Sequence, residues 1–274
     1  MEVSLFDRHG HGVRPTQSGR ALAERSDTLL RQLEQTKAEI RGGVESPSGV
    51  LDFAVPPGAA TYLGPPIIAA FQRRYPNVFL RIHEGFSGQL SDWLFRGAVD
   101  VACIHDPAPM RGVVVTPLVS EEIFLVGRDL PRDRGQVRIA DLETIPLILP
   151  SREHSLRRLI DKLMAEHEVT PDLKAEVDGQ PVIKLLIRQG VGASLLTWGA
   201  ISEEIDRAEL IAQRFHPRLR WPLTLVERAD APASTVRDTL VSTIRDAAKT
   251  LTQSQEWPAL SLDETWIVEE EAVI

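Results

Sequence analysis

The sequence has a single cysteine, Cys103, among its 274 residues. One thiol cannot form an intramolecular disulfide, and a zinc site built on cysteines needs several of them. His9 and His11 lie two residues apart, but no Cys, Asp or Glu partner stands at ligand spacing. We therefore predict no metal site and no cofactor. Cys103 lies in an apolar segment and is interpreted as a small buried side chain, not as a nucleophile.

Long apolar runs are also missing. No run approaches the roughly 20 apolar residues that a membrane-spanning helix needs, and the polar start does not resemble a signal peptide. We therefore expect a cytoplasmic protein without a membrane partner. Motifs for nucleophilic catalysis are missing too, and Gly190-x-Gly192 lacks the third glycine of a dinucleotide-binding loop. The sequence predicts that the protein is not an enzyme.

A strongly basic segment is not present either. The formal net charge is −8, and six acidic residues with no Lys or Arg lie between Gln253 and Ile274. The rest of the chain is therefore close to neutral. This balance neither excludes a nucleic-acid partner nor supports one.

The first regular element is a long amphipathic helix. Residues 17–41 contain no proline and one glycine, and they are rich in helix-forming residues. Leu22, Leu29 and Thr36 repeat every seven residues, and Ser26, Leu33 and Ile40 form the complementary row. This a/d pattern predicts a dimerisation helix with Leu22, Leu29, Leu33 and Ile40 at its seam, although an ordinary surface helix gives a similar pattern.

After a Gly-, Ser- and Pro-containing linker, the pattern alternates between strands and helices. Strands are predicted at 50–55, 78–82, 99–104, 122–126, 146–149, 173–177, 193–196 and 223–226, and helices at 60–74, 87–96, 156–167, 182–188 and 234–251. Pro65 and Pro66 are expected to kink the first of these helices or to reset its start. The order implies two α/β lobes, with the chain crossing near Gly127 and returning near Trp221.

Several segments together resemble the LysR family of transcriptional regulators. They are LFDRHGHGVRPTQSGRAL at 5–22, GVLDFAVPP at 49–57, FQRRYPNVFLRIHEGFSGQLSDWLFRGAVDVA at 71–102, LILPSREHSLRRLI at 147–160 and VIKLLIRQGVGASLLTW at 182–198. Within that family the chain is most similar to the nitrogen-assimilation-control branch. The resemblance covers about residues 4–252.

The resemblance implies an α/β fold: a wing remnant and a long linker helix followed by two lobes of the periplasmic-binding-protein (type 2) kind. The expected divisions are the wing of a winged helix-turn-helix at 1–16, the linker helix at 17–43, a linker at 44–49, lobe I at 50–126 and 223–252, lobe II at 127–222, and an acidic tail at 253–274. We expect that tail to be mobile or loosely docked.

A cleft between two such lobes suits a small effector. Its walls are strand ends and helix N-termini, where free backbone N–H groups favour an anion, so we expect an anionic metabolite. The residues predicted to contact it are Gly58, Thr61, Ser87, Gly88, Ser151, His154, Gly192 and Ser194. The family often has Ser or Thr where Gly58 stands, and Thr61 is a candidate substitute for the missing hydroxyl. We interpret His154 as a polar residue at a helix start and not as a catalytic base.

For DNA, Arg8, Arg14 and Thr16 are predicted to contact phosphates, although exposed arginines fit a solvated surface equally well. In the family a recognition helix precedes the wing, whereas here only Met1 to Ser4 do. We therefore expect an N-terminally truncated regulator, a homodimer or homotetramer, that senses its effector without binding DNA specifically. The alternative is a stand-alone cytoplasmic small-molecule-binding protein, or a subunit that dampens full-length relatives.

Overall fold

A computed structural model of the protein describes residues 3–10, 12–23, 26, 30, 33, 37, 47–130, 136–254, 256–257 and 260–261. The strands are β1 (Phe6–His9), β2 (Gly12–Pro15), β3 (Gly49–Val55), β4 (Val78–Glu84), β5 (Val101–His105), β6 (Val113–Gly127), β7 (Gln136–Val137), β8 (Pro146–Leu149), β9 (Asp172–Glu176), β10 (Ser194–Thr197), β11 (Ile211–Phe215), β12 (Arg220–Arg228) and β13 (Leu260–Ser261). The helices are α1 (17–23, with 26, 30, 33 and 37 also helical), α2 (Pro57–Arg74), α3 (Ser87–Phe95), α4 (Ser155–Glu166), α5 (Gln180–Arg188), α6 (Trp198–Asp206) and α7 (Thr235–Ser254), and a 3₁₀ helix spans Ile139–Thr144.

The N-terminal residues form an antiparallel hairpin, in which β1 pairs with β2. The hairpin leads directly into α1 through Thr16. The Thr16 hydroxyl donates to the Ser4 carbonyl at 2.8 Å and accepts from the Gly19 N–H at 3.0 Å. Gly19 is buried against the Leu5 carbonyl, where an added Cβ would lie 2.0 Å from that oxygen. A glycine is therefore needed where the helix starts beside the hairpin.

Lobe I is a sheet in the order β4-β3-β5-β12-β6, covered by α2, α3 and α7. Strands β3, β4 and β5 run parallel, and β12 and β6 pair antiparallel with their neighbours. β3 and β5 are apolar along most of their length and buried, as strands covered on both faces must be. Their side chains form one core with the inner faces of α2 and α7.

Lobe II is built around the second half of β6, which pairs with β10 on one side and β11 on the other. Strands β8 and β9 form a separate parallel pair. Helices α4, α5 and α6 cover these strands, and α4 contributes Leu156, Leu159, Ile160, Leu163 and Met164 to the core. None of the helices among the described residues has the length and apolar character to cross a membrane.

The chain passes between the lobes earlier than the sequence pattern suggests. Val119 belongs to the core of lobe I, whereas Ile123 belongs to the core of lobe II. The return lies between Trp221 and Leu223, close to the expected position. The two crossings are therefore adjacent, because β6 and β12 pair with each other through Glu122 and Arg220.

Strand β6 is also much longer than the predicted segment 122–126. Pro117 and the charged pair Glu121-Glu122 interrupt its apolar pattern. Pro117 is tolerated because the register shifts next to it: Val119 pairs with Leu223 and Pro117 with Thr224, which leaves Leu118 as an extra residue. A bulge is one of the few sheet positions that accept proline.

Two further elements differ from the sequence predictions. Helix α2 begins at Pro57 and continues through Pro65 and Pro66 without a new start. The tail was expected to be mobile or loosely docked, and for its first part this was wrong. Trp257 is 1% exposed and lies in the core of lobe I, where its ring stacks on Tyr62 with centroids 5.2 Å apart.

Cys103 is fully buried in β5, as predicted. Burial raises the pKa of its thiol, so the thiolate that would act as a nucleophile is disfavoured.

Candidate functional site

A cavity of about 40 Å³ lies between the lobes. Lobe I lines it with the starts of α2 and α3 and with the last residue of β5, and lobe II lines it with the starts of α4, α5 and α6. The lining residues are Pro56, Pro57, Gly58, Phe86, Ser87, His105, Pro150, His154, Leu156, Asp178, Gln180, Ile183, Leu195, Leu196, Thr197 and Trp221. The volume is enough for a few water molecules, so the lobes are nearly closed on one another.

The helix starts around this cavity carry free backbone N–H groups. The residues that precede α2, α5 and α6, which are Pro56, Gly179 and Thr197, make no side-chain cap hydrogen bond to the helices that they begin. The start of α4 is different, because Nδ1 of His154 accepts from the Leu156 N–H at 3.1 Å. Uncapped helix N-termini carry partial positive charge, so the cavity favours a negatively charged occupant.

His105, at the end of β5, and Trp221, on β12, both line the cavity. Their rings stack with centroids 3.7 Å apart and planes within 8°. Nε2 of His105 lies 2.5 Å from Oε2 of the buried Glu121. No partner within the described part of the chain is found for Nδ1 of His105 or Nε1 of Trp221, both buried. Unpaired buried polar atoms are uncommon, and both of these belong to residues that line the cavity.

His154 closes the cavity from lobe II. Its ring centroid lies 4.7 Å from that of Phe86 in lobe I and 5.9 Å from that of Trp221. Burial, together with the nearby His105, lowers the pKa of His154 to about 4. The ring is therefore neutral at physiological pH, with Nδ1 as the acceptor at the helix start and Nε2 carrying the proton. The interpretation of His154 as a polar residue at a helix start is confirmed.

The two lobes touch directly at Gly58 and Gly199. A Cβ built on Gly199 would lie 2.2 Å from the Gly58 carbonyl oxygen, and a Cβ built on Gly58 would lie 3.2 Å from Oγ1 of Thr197. The starts of α2 and α6 can approach this closely only because Gly199 lacks a side chain, and a side chain on Gly58 would make a tight contact with Thr197. Thr197 thus places a hydroxyl beside Gly58 from the opposite lobe.

The structure brings Gly58, Ser87 and His154 together at the cavity, as the sequence suggested. The N-cap residue of α3 is Phe86, so Ser87 does not cap the helix. The Phe86 N–H donates to Oε1 of Gln89. The Ser87 hydroxyl donates to the His105 carbonyl at 3.0 Å and lies 2.8 Å from the Ser155 hydroxyl. Ser87 therefore links the walls of the cavity to one another.

The other predicted effector contacts lie away from the cavity lining. Thr61 is exposed, with its hydroxyl 3.3 Å from the Pro57 carbonyl, and Gly88 is exposed too. Ser151 is half-buried, and its N–H donates to Asp178. Gly192 packs against the Pro146 carbonyl, and Ser194 is fully buried in β10.

Sequence reasoning missed His105, Thr197 and Trp221. His105 and Thr197 each end a strand, and the rule that ligands bind beyond strand ends could have found them. Thr197 was also hidden because α6 went unpredicted. Trp221 carries no local signal, since only the three-dimensional crossing brings it to the cavity.

The predicted DNA and dimer residues lie in the N-terminal part. Arg8 and Arg14 are exposed on the hairpin, whereas the Thr16 hydroxyl is occupied at the start of α1. Leu22 and Leu33 are 48% and 50% exposed. Leu29 and Ile40 lie outside the described residues.

Two α/β lobes joined by adjacent crossing strands define a two-lobed domain of the periplasmic-binding-protein kind. The model of the LysR substrate binding domain matches residues 45–249. The chain belongs to this family, and the resemblance found in its sequence is confirmed.

The similar proteins include named regulators. The HTH-type transcriptional regulator BbuR of Bordetella bronchiseptica is 28% identical over 268 residues, covering 94% of this chain and 80% of BbuR. The nitrogen assimilation regulatory protein nac of Klebsiella aerogenes is 28% identical over 199 residues, covering 72% of this chain and 64% of nac. The expected likeness to the nitrogen-assimilation-control branch is thus present among the relatives.

Solved structures agree on the fold. The Corynebacterium glutamicum OxyR C206 mutant has a TM-score of 0.68 at 24% identity, over 93% of this chain and 81% of that one. The Synechocystis PCC6803 CcmR regulatory domain in complex with 2-PG has a TM-score of 0.68 at 19% identity, over 74% of this chain and 99% of that one.

Proposed function

We propose that the chain is the sensing part of a LysR-type transcriptional regulator in the cytoplasm. A small anionic effector binds between the lobes, and its binding changes the angle between them. That change alters how the subunits of an oligomer present themselves to DNA. The protein acts by binding and not by catalysis, in keeping with the relatives, which are named as regulators and not as enzymes.

The observation that carries this proposal is the set of unpaired polar groups around the cavity. Uncapped helix starts come from both lobes, and His105 and Trp221, which also line the cavity, each have a buried ring nitrogen without a partner in the described part of the chain. Oxygen atoms of a carboxylate or another oxyanion can accept from N–H groups on both sides at once. Such a ligand stabilises the closed arrangement of the lobes, because its contacts exist only when both walls are near.

The charges near the cavity limit which anions fit. Glu121 is paired with His105, and Asp178 lies at the rim with its carboxylate accepting from the Ser151 N–H. A large anion would bring its charge close to Asp178. The small volume favours a compact ligand with one or two anionic groups.

Thr197 is the hydroxyl best placed to contact this ligand. It lines the cavity, it is 5% exposed, and its side chain does not accept from the first turn of α6. Thr61, the substitute considered from the sequence, is exposed and is not among the lining residues. The hydroxyl that Gly58 lacks is therefore supplied from lobe II.

One solved relative of the same fold supports small-molecule binding, since the Synechocystis CcmR regulatory domain was solved in complex with 2-PG. We infer an analogous role here, without inferring the same ligand.

The test is a thermal-shift screen of small carboxylates, sulfate and phosphate. A ligand at 100 times its dissociation constant stabilises the folded protein by about 2.7 kcal/mol. For a hit, we expect Thr197→Val to weaken binding and Thr61→Val, the matched control, to leave it unchanged. A hit with equal affinity for both variants would contradict the assigned site. Turnover of a ligand in the purified sample would contradict the non-enzymatic role.

For DNA, we propose that the described residues contribute phosphate contacts only, through the exposed Arg8 and Arg14. Such contacts position a protein but carry little sequence information. A gel-shift assay with this polypeptide alone tests this. Tight binding that distinguishes one DNA sequence from another would overturn the proposal, whereas weak, salt-sensitive binding supports it.

The oligomer is proposed to form through α1. The exposed Leu22 and Leu33 leave an apolar stripe on that helix, and a second copy of the same helix is the partner that a heptad pattern fits.

A further inference from the structure

Residues that follow α7 pack against lobe I and pair with β6. The match to the LysR domain stops at residue 249, yet Glu256–Trp257 and Leu260–Ser261 fold back onto lobe I. We call these four residues the strap.

The strap is anchored by Trp257. Its ring is fully enclosed and stacks on Tyr62, which lies one helical turn after Gly58 on α2. Leu260 packs against the same core. The strap is therefore fixed to the helix whose first residues line the cavity.

Beyond this anchor, β13 lies on the inter-lobe crossing itself. Leu260 pairs with Glu121 and Ser261 with Ser120, on the edge of β6 opposite β12. On the other side Glu121 pairs with Trp221 and Ser120 with Pro222, a residue that has no N–H to donate. At this point the connection between the lobes is three strands wide instead of two.

The same stretch of β6 leads to the cavity. Glu121 is held by β13 through its backbone and by His105 through its carboxylate, at 2.5 Å. His105 in turn stacks on Trp221, and both rings line the cavity. A movement of the crossing therefore moves two lining side chains.

We propose that the strap is an intramolecular brace on the inter-lobe crossing, which limits the lobe angle and thereby sets the affinity of the cavity for its ligand. Coupling of this kind is reciprocal, so a ligand that fixes the crossing also secures the strap. The effect on affinity rests on the function proposed above, whereas the effect on the crossing does not.

The experiment compares the full chain with two shortened chains. One ends at Ser261 and keeps the whole strap. The other ends at Ala259 and differs from the first only in lacking β13. Both keep Trp257, so neither removes an aromatic ring from the core. Hydrogen exchange is measured on the amides of residues 119–123 and, as a reference, on those in the middle of α4.

We expect the chain ending at Ala259 to exchange about tenfold faster at 119–123, with α4 unchanged, because local opening follows the loss of local pairing. The chain ending at Ser261 should match the full chain. Equal exchange at 119–123 in both shortened chains overturns the proposal. So does a uniform increase in both lobes, which would mean that β13 contributes only general stability.

The lobe angle is measured with spin labels at Arg73→Cys on α2 and Lys162→Cys on α4, both exposed sites. Cys103 is buried and its thiol pKa is raised, so it should not compete for the label. The distance distribution should broaden in the chain ending at Ala259. An unchanged distribution overturns the claim that the strap limits the lobe angle.

Affinity is probed with sulfate on the same chains. Loss of β13 should weaken sulfate binding about fivefold, within the usual range of coupling between sites. Equal sulfate affinity in both shortened chains overturns the effect on affinity. If sulfate binds none of the chains while exchange and distances change as expected, the brace is supported and the anion-binding function is contradicted.

Discussion

The hydroxyls of Ser87 and Ser155 lie 2.8 Å apart and share a hydrogen bond, although the two residues belong to different lobes. Each is the first residue of its helix, α3 in lobe I and α4 in lobe II. The bond is buried, and it connects the two walls of the cavity without a ligand. The closed arrangement therefore has stabilising contacts of its own, which an effector has only to supplement.

Ser155→Ala should lower the free energy of unfolding by about 1 kcal/mol, the usual net value of one hydrogen bond. The loss is limited because Ser87 keeps its bond to the His105 carbonyl. Urea denaturation measures the change. Ser151→Ala is the control, since only the N–H of Ser151 is bonded to Asp178. Equal effects of the two substitutions would contradict the assignment.

Gly199→Ala should force the lobes apart. The new methyl group would lie 2.2 Å from the Gly58 carbonyl oxygen, which belongs to rigid helix backbone. Overpacking of this kind typically costs about 1–3 kcal/mol. Small-angle scattering should show a more open molecule, and thermal unfolding should occur earlier. Gly88→Ala is the matched control, because an added Cβ there meets nothing within 4 Å. A Gly199→Ala protein as compact and stable as the control would show that the lobes do not meet at these glycines.

Stability should fall with acid through His154. Its pKa is lowered to about 4 in the folded protein, from 6.5, because burial and the nearby His105 disfavour the charged ring. Above pH 6.5 the ring is neutral in both states and contributes no pH dependence. Between pH 6.5 and about 4 the unfolded chain binds the proton first, so this group lowers the stability by up to about 1.4 kcal/mol for each pH unit.

The measurement is urea denaturation at several pH values in this range. His154→Asn retains a side chain that can accept at the helix start but cannot titrate. The difference in stability between the original protein and this variant should therefore depend on pH. A constant difference would contradict the buried, neutral state of His154.

Trp257→Ala should lower the free energy of unfolding by about 3–5 kcal/mol, as expected for removing a large buried aromatic ring. Phe95→Ala provides the comparison, because Phe95 is 70% exposed and its loss should cost little. Both are measured by chemical denaturation. Similar small effects would mean that Trp257 does not belong to the core of lobe I.

Leu33→Lys should dissociate the proposed dimer by placing a charge on the heptad seam of α1. Leu30 lies on the same helix and is 60% exposed, but it falls outside both heptad rows. Leu30→Lys is therefore the control and should keep the oligomer. Sedimentation velocity distinguishes the outcomes, and an oligomer unaffected by Leu33→Lys would locate the interface elsewhere.

Much of the fold could be predicted because its strands are short apolar runs bounded by turn residues. The buried strands β3, β5, β8 and β10 and the helix α4 lie within about two residues of their predicted positions. The elements that were missed have mixed patterns. The first half of β6 contains Pro117 and is exposed or half-buried, and it forms a strand through its pairing with β12, a contact that is distant in sequence.

The site was predictable only in part, for a related reason. Helix starts such as those at Gly58, Ser87 and His154 can be recognised locally. Which of them converge depends on how the lobes close. The burial of Trp257 was missed because an acidic, aperiodic segment gives no sign that one of its side chains enters a core.

Because the rings of His105 and Trp221 are stacked, the fluorescence of Trp221 can report movement of the lobes. The emission of an indole depends on the groups in contact with its ring, and here the His105 ring stacks on it with centroids 3.7 Å apart. Any ligand or movement that separates the two rings should therefore change the emission of Trp221. The difference spectrum between this protein and a Trp221→Phe variant would isolate that emission, so lobe motion could be followed in real time without an added dye.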